Sequence, residues 1–442
     1  MKRLIKGMVR NALITAHLGF VYNWLRGMWC EFKMRRDRHA IRRNYAKIVK
    51  RIRQYPRDRK IRVLFWVYET AKWKAQSLYD AMKVSSDFEP IMVVSVTPCD
   101  LDFFGKGIRE KLLDDERYYA SHGCRCITNF DFTTQRPSPL AKYNADIVFY
   151  HDPHHLFNED SVRTTAKSAL CCDIPYAIRT LGGSGLQDAP WHHQLMFLQF
   201  PPTEAQSRFY RQSLPEWKWA GTSYAIGHPI LDQYRKPLDE TTETECVIYA
   251  PHWSFALEGV TRQTTLSSFL ENGRQILEYA KRHSEFNWVF KPHPLLYKEL
   301  ILRRVWTREE VDAYYGAWGK IGRVCTDGDY IRLFQRARAL ITDCGSFLVE
   351  FPMTGKPLIR LIPKKLDYPL FPAFEKLYDS FYQARNLDEM YAAFAQVLER
   401  GEDPRKEARM NAVRDLGLMG EKTSAERIMV KLREICGRQL AK

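Results

Sequence analysis

The chain has 442 residues, 45% of them apolar and 13% aromatic, with a formal charge of +16. That is enough apolar material to bury one or two sizeable cores, which excludes a disordered chain and a small disulfide-framed scaffold. The charge sits at one end: of 68 Lys and Arg and 52 Asp and Glu, nineteen and three fall within residues 1–62, which leaves 49 of each sign for the remainder.

The basic end comes first. Apolar residues recur at helical spacing through Ile5, Val9, Ala12, Leu13, Ala16, Phe20 and Trp24, while Lys2, Arg3, Lys6 and Arg10 form a charged flank. With Phe20, Tyr22, Trp24 and Trp29, such a helix can lie in the headgroup region of an anionic membrane, each basic residue adding roughly 1 kcal/mol. A solvated helix covering the domain behind it would not need this density of Arg and Trp. A nucleic-acid reader would carry basic surface in its body as well, so nucleic acid is not expected as a partner. Residues 1–60 are expected to form a basic, amphipathic, membrane-associating helical segment.

No window of about 18 uncharged apolar residues exists, which argues against a membrane span. The run from Asn11 to Leu25 is bounded by Arg10 and Arg26 and lacks a small-residue cleavage site. The expected location is cytoplasmic, peripheral on the inner face of the membrane. The ten cysteines show no CxxC pair and no regular framework, which points to a reducing compartment and away from zinc.

From Ile61 the pattern alternates β-rich runs with helical stretches. Strands are expected at Ile61–Val67, Ile91–Val96, Ala145–Tyr150 and Ile174–Ile178, with helices at Ala71–Met82 and Asp160–Leu170. A polar stretch from Lys236 to Glu245 separates this half from a second. There the spacing predicts strands at Cys246–Ala250, Asn287–Lys291, Ala339–Thr342 and Pro357–Leu361, helices at Leu266–His283 and Tyr330–Ala337, and a helical tail over Leu387–Leu440. The expected fold is α/β, with two Rossmann-like domains facing a cleft, an N-terminal one over 61–240 and a C-terminal one over 241–442.

Candidate chemistry follows the predicted strands of the second half. Tyr249-Ala250-Pro251-His252-Trp253-Ser254 puts a His at a strand end as a base or phosphate donor. Phe290-Lys291-Pro292-His293-Pro294 holds Lys291 and His293 between prolines, a composition suited to an anion. Asp343, Gly345 and Ser346 end an apolar strand and open a helix whose N-terminus can take a phosphate. Together these suggest a bound diphosphate. In the first half His151, Asp152, His154 and His155 follow a strand and could serve as acid, base or metal ligands. Leu181-Gly182-Gly183-Ser184-Gly185 is neither a dinucleotide nor a Walker motif. Asp100-Leu101-Asp102 and Asp327-Gly328-Asp329 look like the DxD of metal-dependent transferases, but the first is expected in a loop and the second as the cap of the Tyr330 helix.

The ordered set Gly227-His228-Pro229-Ile230-Leu231-Asp232, Tyr249-Ala250-Pro251-His252, Phe290-Lys291-Pro292-His293-Pro294 and Ile341-Thr342-Asp343-Cys344-Gly345-Ser346 resembles the CDP-glycerol glycerophosphotransferase family, the teichoic-acid-type enzymes. The resemblance implies a GT-B fold, a donor bound mainly by the C-terminal half, and no required metal or cofactor. It further implies Lys291 and His293 on the donor diphosphate, Ser346 and Gly345 on a phosphate, Asp343 as the support of that loop, and His252 at the post-strand position. Where many members carry Trp-His-Gly this chain has Thr180-Leu181-Gly182, so His151, His154 or His155 stands in as the candidate base. The activity implied is transfer of glycerol phosphate, or a related polyol phosphate, from a CDP-activated donor to a lipid-linked or glycan hydroxyl in capsule or teichoic-acid-like synthesis, releasing CMP. The alternatives are a GT-B glycosyltransferase using a nucleotide sugar and a non-catalytic membrane-associated scaffold.

Overall fold

A computed structural model describes residues 19–152, 156–178, 180, 190–213, 218–238, 245–255, 257, 265–326, 330–365 and 371–438. Strands that are apolar on both faces must be covered on both faces, and here they form two parallel sheets. In the first, β1 (Ile61–Val67), β2 (Phe88–Val94), β3 (Cys126–Thr128), β4 (Ile147–Tyr150), β5 (Leu170–Asp173), β6 (Leu198–Gln199) and β7 (Thr222–Ser223) lie in the order 3-2-1-4-5-6-7. In the second, β8 (Cys246–Ala250), β9 (Trp288–Phe290), β10 (Gly322–Val324), β11 (Ala337–Thr342), β12 (Leu358–Leu361) and β13 (Tyr382–Ala384) lie in the order 10-9-8-11-12-13. The architecture is the expected α/β, GT-B-like pair of Rossmann-like units.

Two elements differ from the sequence reading near the cleft. The strand expected at Ile174–Ile178 is instead β5, four residues earlier, and the helix before it shrinks to Val162–Thr165. Cys171 and Cys172 behave as small buried hydrophobes, so the sheet takes Leu170–Asp173 and the chain runs on past its edge. The helix expected over Ala71–Met82 breaks into a 3-10 turn, Thr70–Lys72, and a helix, Gln76–Val84, with Trp73 extended between them. Asp100 is the third residue of a capping box on the helix Pro98–Phe104, its carboxylate taking the Thr97 N–H. Asp327, Gly328 and Asp329 lie outside the described residues, as do Leu181 to Gly185.

The first and last described helices both pack onto the first half. The helix Gly19–Arg53 buries Ile41, Tyr45, Ile48 and Ile52 in the core around β1 and β4. Its Arg38 is buried too and reaches Gln194 Oε1 at 2.6 Å, and Arg42 Nε donates to the Trp219 carbonyl at 2.7 Å. The last helix, Ser424–Cys436, inserts Ile428, Met429 and Leu432 into the same core. Its start is held by Asp232, which accepts from the N–H groups of Ser424 at 2.7 Å and Ala425 at 3.0 Å and from Ser77 Oγ at 2.9 Å. The Gly227–Asp232 string is therefore a joint between the N-terminal half and the returning tail. Gly227, at φ +80, lies where a Cβ would come within 2.7 Å of Ser424 Oγ. Among the described residues no helix is long and apolar enough to cross a membrane.

Candidate functional site

In an open parallel sheet the strand order reverses at one point, and loops leaving the carboxyl ends there diverge to open a crevice. The first sheet reverses between β1 and β4, the second between β8 and β11. The chain leaves β1 into Tyr68, β4 into His151 and Asp152, β8 into His252, and β11 into Asp343. The two crevices meet: Lys74 of the first half lies 4.4 Å from the ring centroid of Tyr330 in the second. Beside them the halves touch at the Thr180 carbonyl, which accepts from the Phe371 N–H at 2.8 Å and the Tyr378 hydroxyl at 3.1 Å. A Cβ on Gly345 would stand 2.6 Å from Thr180 Oγ1, so the close approach of the halves requires glycine there.

On the second half, Asp343 is buried and spends its carboxylate on the protein's own donors. Its Oδ1 accepts from the His252 N–H at 2.5 Å, and its Oδ2 accepts from the Ser268 N–H at 2.7 Å and the Ser268 hydroxyl at 3.1 Å. It thereby ties the β8 loop and the start of the helix Phe269–Arg282 to the end of β11. Burial pushes its carboxyl up to about 6, against the pull of these donors.

His252 takes the Ser254 N–H on Nδ1 at 3.1 Å, and His293 takes the Leu295 N–H on Nδ1 at 3.1 Å. Each neutral ring therefore carries its proton on Nε2 and can donate it. The ring centroids are 4.9 Å apart. Burial pulls His252 to about 3 and His293 well below its ordinary value, and His293 is lowered further by the charges of His252, Lys72, Lys291 and Lys74. Lys291 is buried, 5.2 Å from the Tyr330 ring on which Lys74 also lies. The Tyr330 hydroxyl donates to Glu350, a buried carboxylate that feels both lysines. Ser346 precedes a helix of only four residues, Phe347–Glu350, and its hydroxyl makes no capping bond. The expected phosphate site at a helix N-terminus is thus one short turn.

On the first half, His151 is buried and its Nδ1–H donates to the Ile174 carbonyl at 3.1 Å. Its Nε2 keeps a bare lone pair with no hydrogen-bond partner among the described residues. Burial pulls the ring to about 3, so it is neutral at any working pH. It shares a recess with Tyr68, Glu69, Lys72 and Asp152. The Asp152 carboxylate accepts from the Tyr68 hydroxyl and from Lys72 Nζ, both at 2.6 Å. His154 and His155 lie outside the described residues. Among the described residues no group of three His, Cys, Asp or Glu could hold a metal ion.

His228 is a different kind of histidine. It is fully buried in the joint below the cleft, and its Nε2–H donates to the Pro175 carbonyl at 2.7 Å. Burial brings its pKa to about 4. Because this lies below the unfolded value of about 6.5, the unfolded chain binds more protons between those values, and stability from His228 is lost as pH falls through that window. Asp343 and Asp160, pushed up by burial to about 6 and about 7, act in the opposite direction. The contribution is isolated by comparison: in urea titrations from pH 6.5 to 4, His228→Asn should lose stability less steeply than the parent by about 1.4 kcal/mol per pH unit. Parallel curves would show that His228 is not held neutral.

Four site groups escaped the sequence reading: Tyr68, Lys72 and Lys74 after β1, and Glu350 after β11. The strand-end rule that selected His252 and His293 would have found Lys72 and Lys74 had Ala71–Met82 not been read as one helix.

No protein-family model matches the chain, and no curated protein matches it. Solved structures do share its fold. A Neisseria meningitidis UDP-GlcNAc 2-epimerase bound to UDP-GlcNAc is 14% identical, covers 85% of this chain and 100% of its own, and superposes with a TM-score of 0.53. A Staphylococcus aureus protein, MnaA, in complex with UDP is 13% identical over 86% of this chain and 98% of its own, with a TM-score of 0.55. A third, from Listeria monocytogenes, is 15% identical over 87% and 99%, with a TM-score of 0.55. At such identity the likeness is one of fold, and the fold is GT-B-like.

These matches correct the resemblance drawn above. The solved structures that share the fold over most of their length include UDP-GlcNAc 2-epimerases, so the kinship with CDP-glycerol glycerophosphotransferases is withdrawn. With it go the glycerophosphotransferase activity, the CDP-activated polyol donor and its lipid-linked or glycan acceptor, and the placement in capsule or teichoic-acid synthesis. The physical reason is visible in the strings that carried the resemblance. Gly227–Asp232 is a structural joint, and Asp343 braces a loop. Those around His252, Lys291 and His293 lie at the carboxyl ends of β8 and β9, beside the switch point of the second sheet.

Proposed function

We propose that the protein is an enzyme of nucleoside-diphosphate sugars, which holds the diphosphate on the C-terminal half and acts at the bond joining it to the sugar. The observation that carries this reading is the gathering of Lys74 and Lys291 on the Tyr330 ring, together with the paired rings of His252 and His293, where the two switch points meet. A diphosphate departing from a sugar gains charge on its oxygens, and fixed cations with the Nε2–H groups of His252 and His293 stabilise that charge more in the transition state than in the ground state. A uridine nucleotide is the expected carrier, in keeping with the UDP and UDP-GlcNAc bound in the Staphylococcus and Neisseria relatives in fold.

In this reading His151 is the base. An acceptor hydroxyl gives its proton to His151 Nε2, its oxygen bonds to the anomeric carbon, and the bond from that carbon to the diphosphate oxygen breaks with its electron pair on the phosphate. A second reading, epimerisation of the sugar, is favoured by the epimerases among the relatives in fold. Incubation of UDP-GlcNAc in D2O separates the two. Transfer releases UDP only when a hydroxyl acceptor is added, whereas 2-epimerisation breaks the C2–H bond and exchanges it with solvent without an acceptor. Under either, His151→Gln should lower kcat about 10²–10⁴-fold with little change in KM. Neither turnover nor a thermal shift with UDP or UDP-sugars would sink the reading.

The helix Gly19–Arg53 supports peripheral contact with an anionic membrane as part of the same proposal. Its last turn carries Lys50, Arg51 and Arg53, and the basic N-terminal segment leads into it.

A further inference from the structure

Opposite the cleft, at the amino ends of the strands of the first sheet, lies a cavity of about 570 Å³. It is lined by Arg51 from the end of the helix Gly19–Arg53, by Tyr55, Arg59 and Lys60 from the turn that follows, by Arg62 of β1, and by Asp146 and Glu89 among others. Four cations face two carboxylates, so the cavity keeps a net positive charge when Asp146 and Glu89 are ionised.

Asp146 and Glu89 hold Arg51 and Arg62 in place, and Arg59 and Lys60 have other partners. Asp146, buried, accepts from Tyr55 OH at 2.6 Å, Arg51 Nη2 at 3.3 Å and the Arg62 N–H at 3.1 Å. Glu89 accepts from Arg62 Nε at 2.8 Å. The Arg59 guanidinium stacks 3.6 Å from the centroid of the Tyr55 ring, and Lys60 Nζ donates to the Ser85 carbonyl at 3.0 Å. Each guanidinium carries five N–H donors, and these contacts use at most two or three of them. Cations oriented by one partner with donors to spare are what recognition of a phosphate requires, since the ordering is already done before the ligand arrives.

We propose that this cavity is a second anion site, for a phosphate ester carrying two or more negative charges, independent of the cleft. A lipid headgroup and a soluble phosphate ester share that chemistry. The site stands where the helix Gly19–Arg53 passes into β1.

The test uses inorganic pyrophosphate and the full chain. In a Lys291→Ala, His293→Ala background, which weakens the cleft as an anion site, calorimetric titration at low salt should still detect pyrophosphate binding that weakens as salt is added. Adding Arg59→Glu and Lys60→Glu, both exposed, should weaken it at least about tenfold, and Arg59→Gln with Lys60→Gln should fall between. Sedimentation with phosphatidylglycerol vesicles, against phosphatidylcholine, distinguishes the sources. If the ligand is a lipid headgroup, the charge reversals reduce vesicle binding and pyrophosphate competes for it; if it is a soluble ester, pyrophosphate binds and vesicle retention is unchanged. Absence of residual pyrophosphate binding, or residual binding that the reversals do not touch, overturns the proposal and leaves the cleft reading unaffected.

Discussion

Asp343→Ala is expected to lower stability by about 3–4 kcal/mol and to remove activity with it. The carboxylate is buried and satisfies three donors, the N–H groups of His252 and Ser268 and the Ser268 hydroxyl. Truncation leaves those donors without an acceptor, and each stranded buried group costs roughly 1–3 kcal/mol, relieved where a loop can shift to reach water. The shift itself is the functional injury: His252 loses the bond that fixes its backbone, and a displacement of about 1 Å in a positioned group can cost about a hundredfold in rate. Asp343→Asn keeps one carbonyl acceptor and should be milder on both counts. Chemical denaturation and single-turnover kinetics measure the two effects separately. Full stability in Asp343→Ala would mean that the β8 loop is held by something else.

Lys291→Ala should reduce turnover of a nucleoside-diphosphate sugar by about 10²–10³-fold, the usual effect of removing one fixed charge from a developing anion. The expectation rests on burial. An ammonium at 5% exposure, packed over the Tyr330 ring, interacts with a phosphate with little water between them. The variant also takes a cation from the surroundings of Glu350, whose carboxyl burial already raises, so its pKa should rise further. Lys291→Arg keeps the charge but changes its shape and reach, and recovers only part of the rate if position matters. Rates equal to the parent in Lys291→Ala would exclude the diphosphate from this side of the cleft.

Much of the architecture was legible before any coordinate. β1 and β8 fall at Ile61–Val67 and Cys246–Ala250 as the periodicity predicts, because a doubly covered strand is a short unbroken apolar run. The strand-end residues His252, Lys291, His293 and Asp343 were legible for the same reason, since the chain leaves each such run at a fixed end of the sheet. Lys74 was not. Its neighbours read as one helix, whereas the chain makes a 3-10 turn at Thr70–Lys72 and extends at Trp73, which turns Lys74 inward. Glu350 was hidden as well, seven residues past Asp343 on a helix too short to show a period.

By itself the amino-acid order determined two parallel sheets, a basic N-terminal end, and the polar loops that leave the strands, because these follow from local periodicity and from the charge of neighbouring residues. Which of those residues work together was decided only by the tertiary structure. Strand order brings β1 beside β4 and β8 beside β11, pairs more than eighty residues apart, and contact between the halves then sets Lys74 against Tyr330. The same long-range packing makes the Gly227–Asp232 string, which in sequence only carried part of a resemblance, a joint. It also gathered Arg51, Arg59, Lys60 and Arg62 around one cavity, although in sequence they are only part of a basic run.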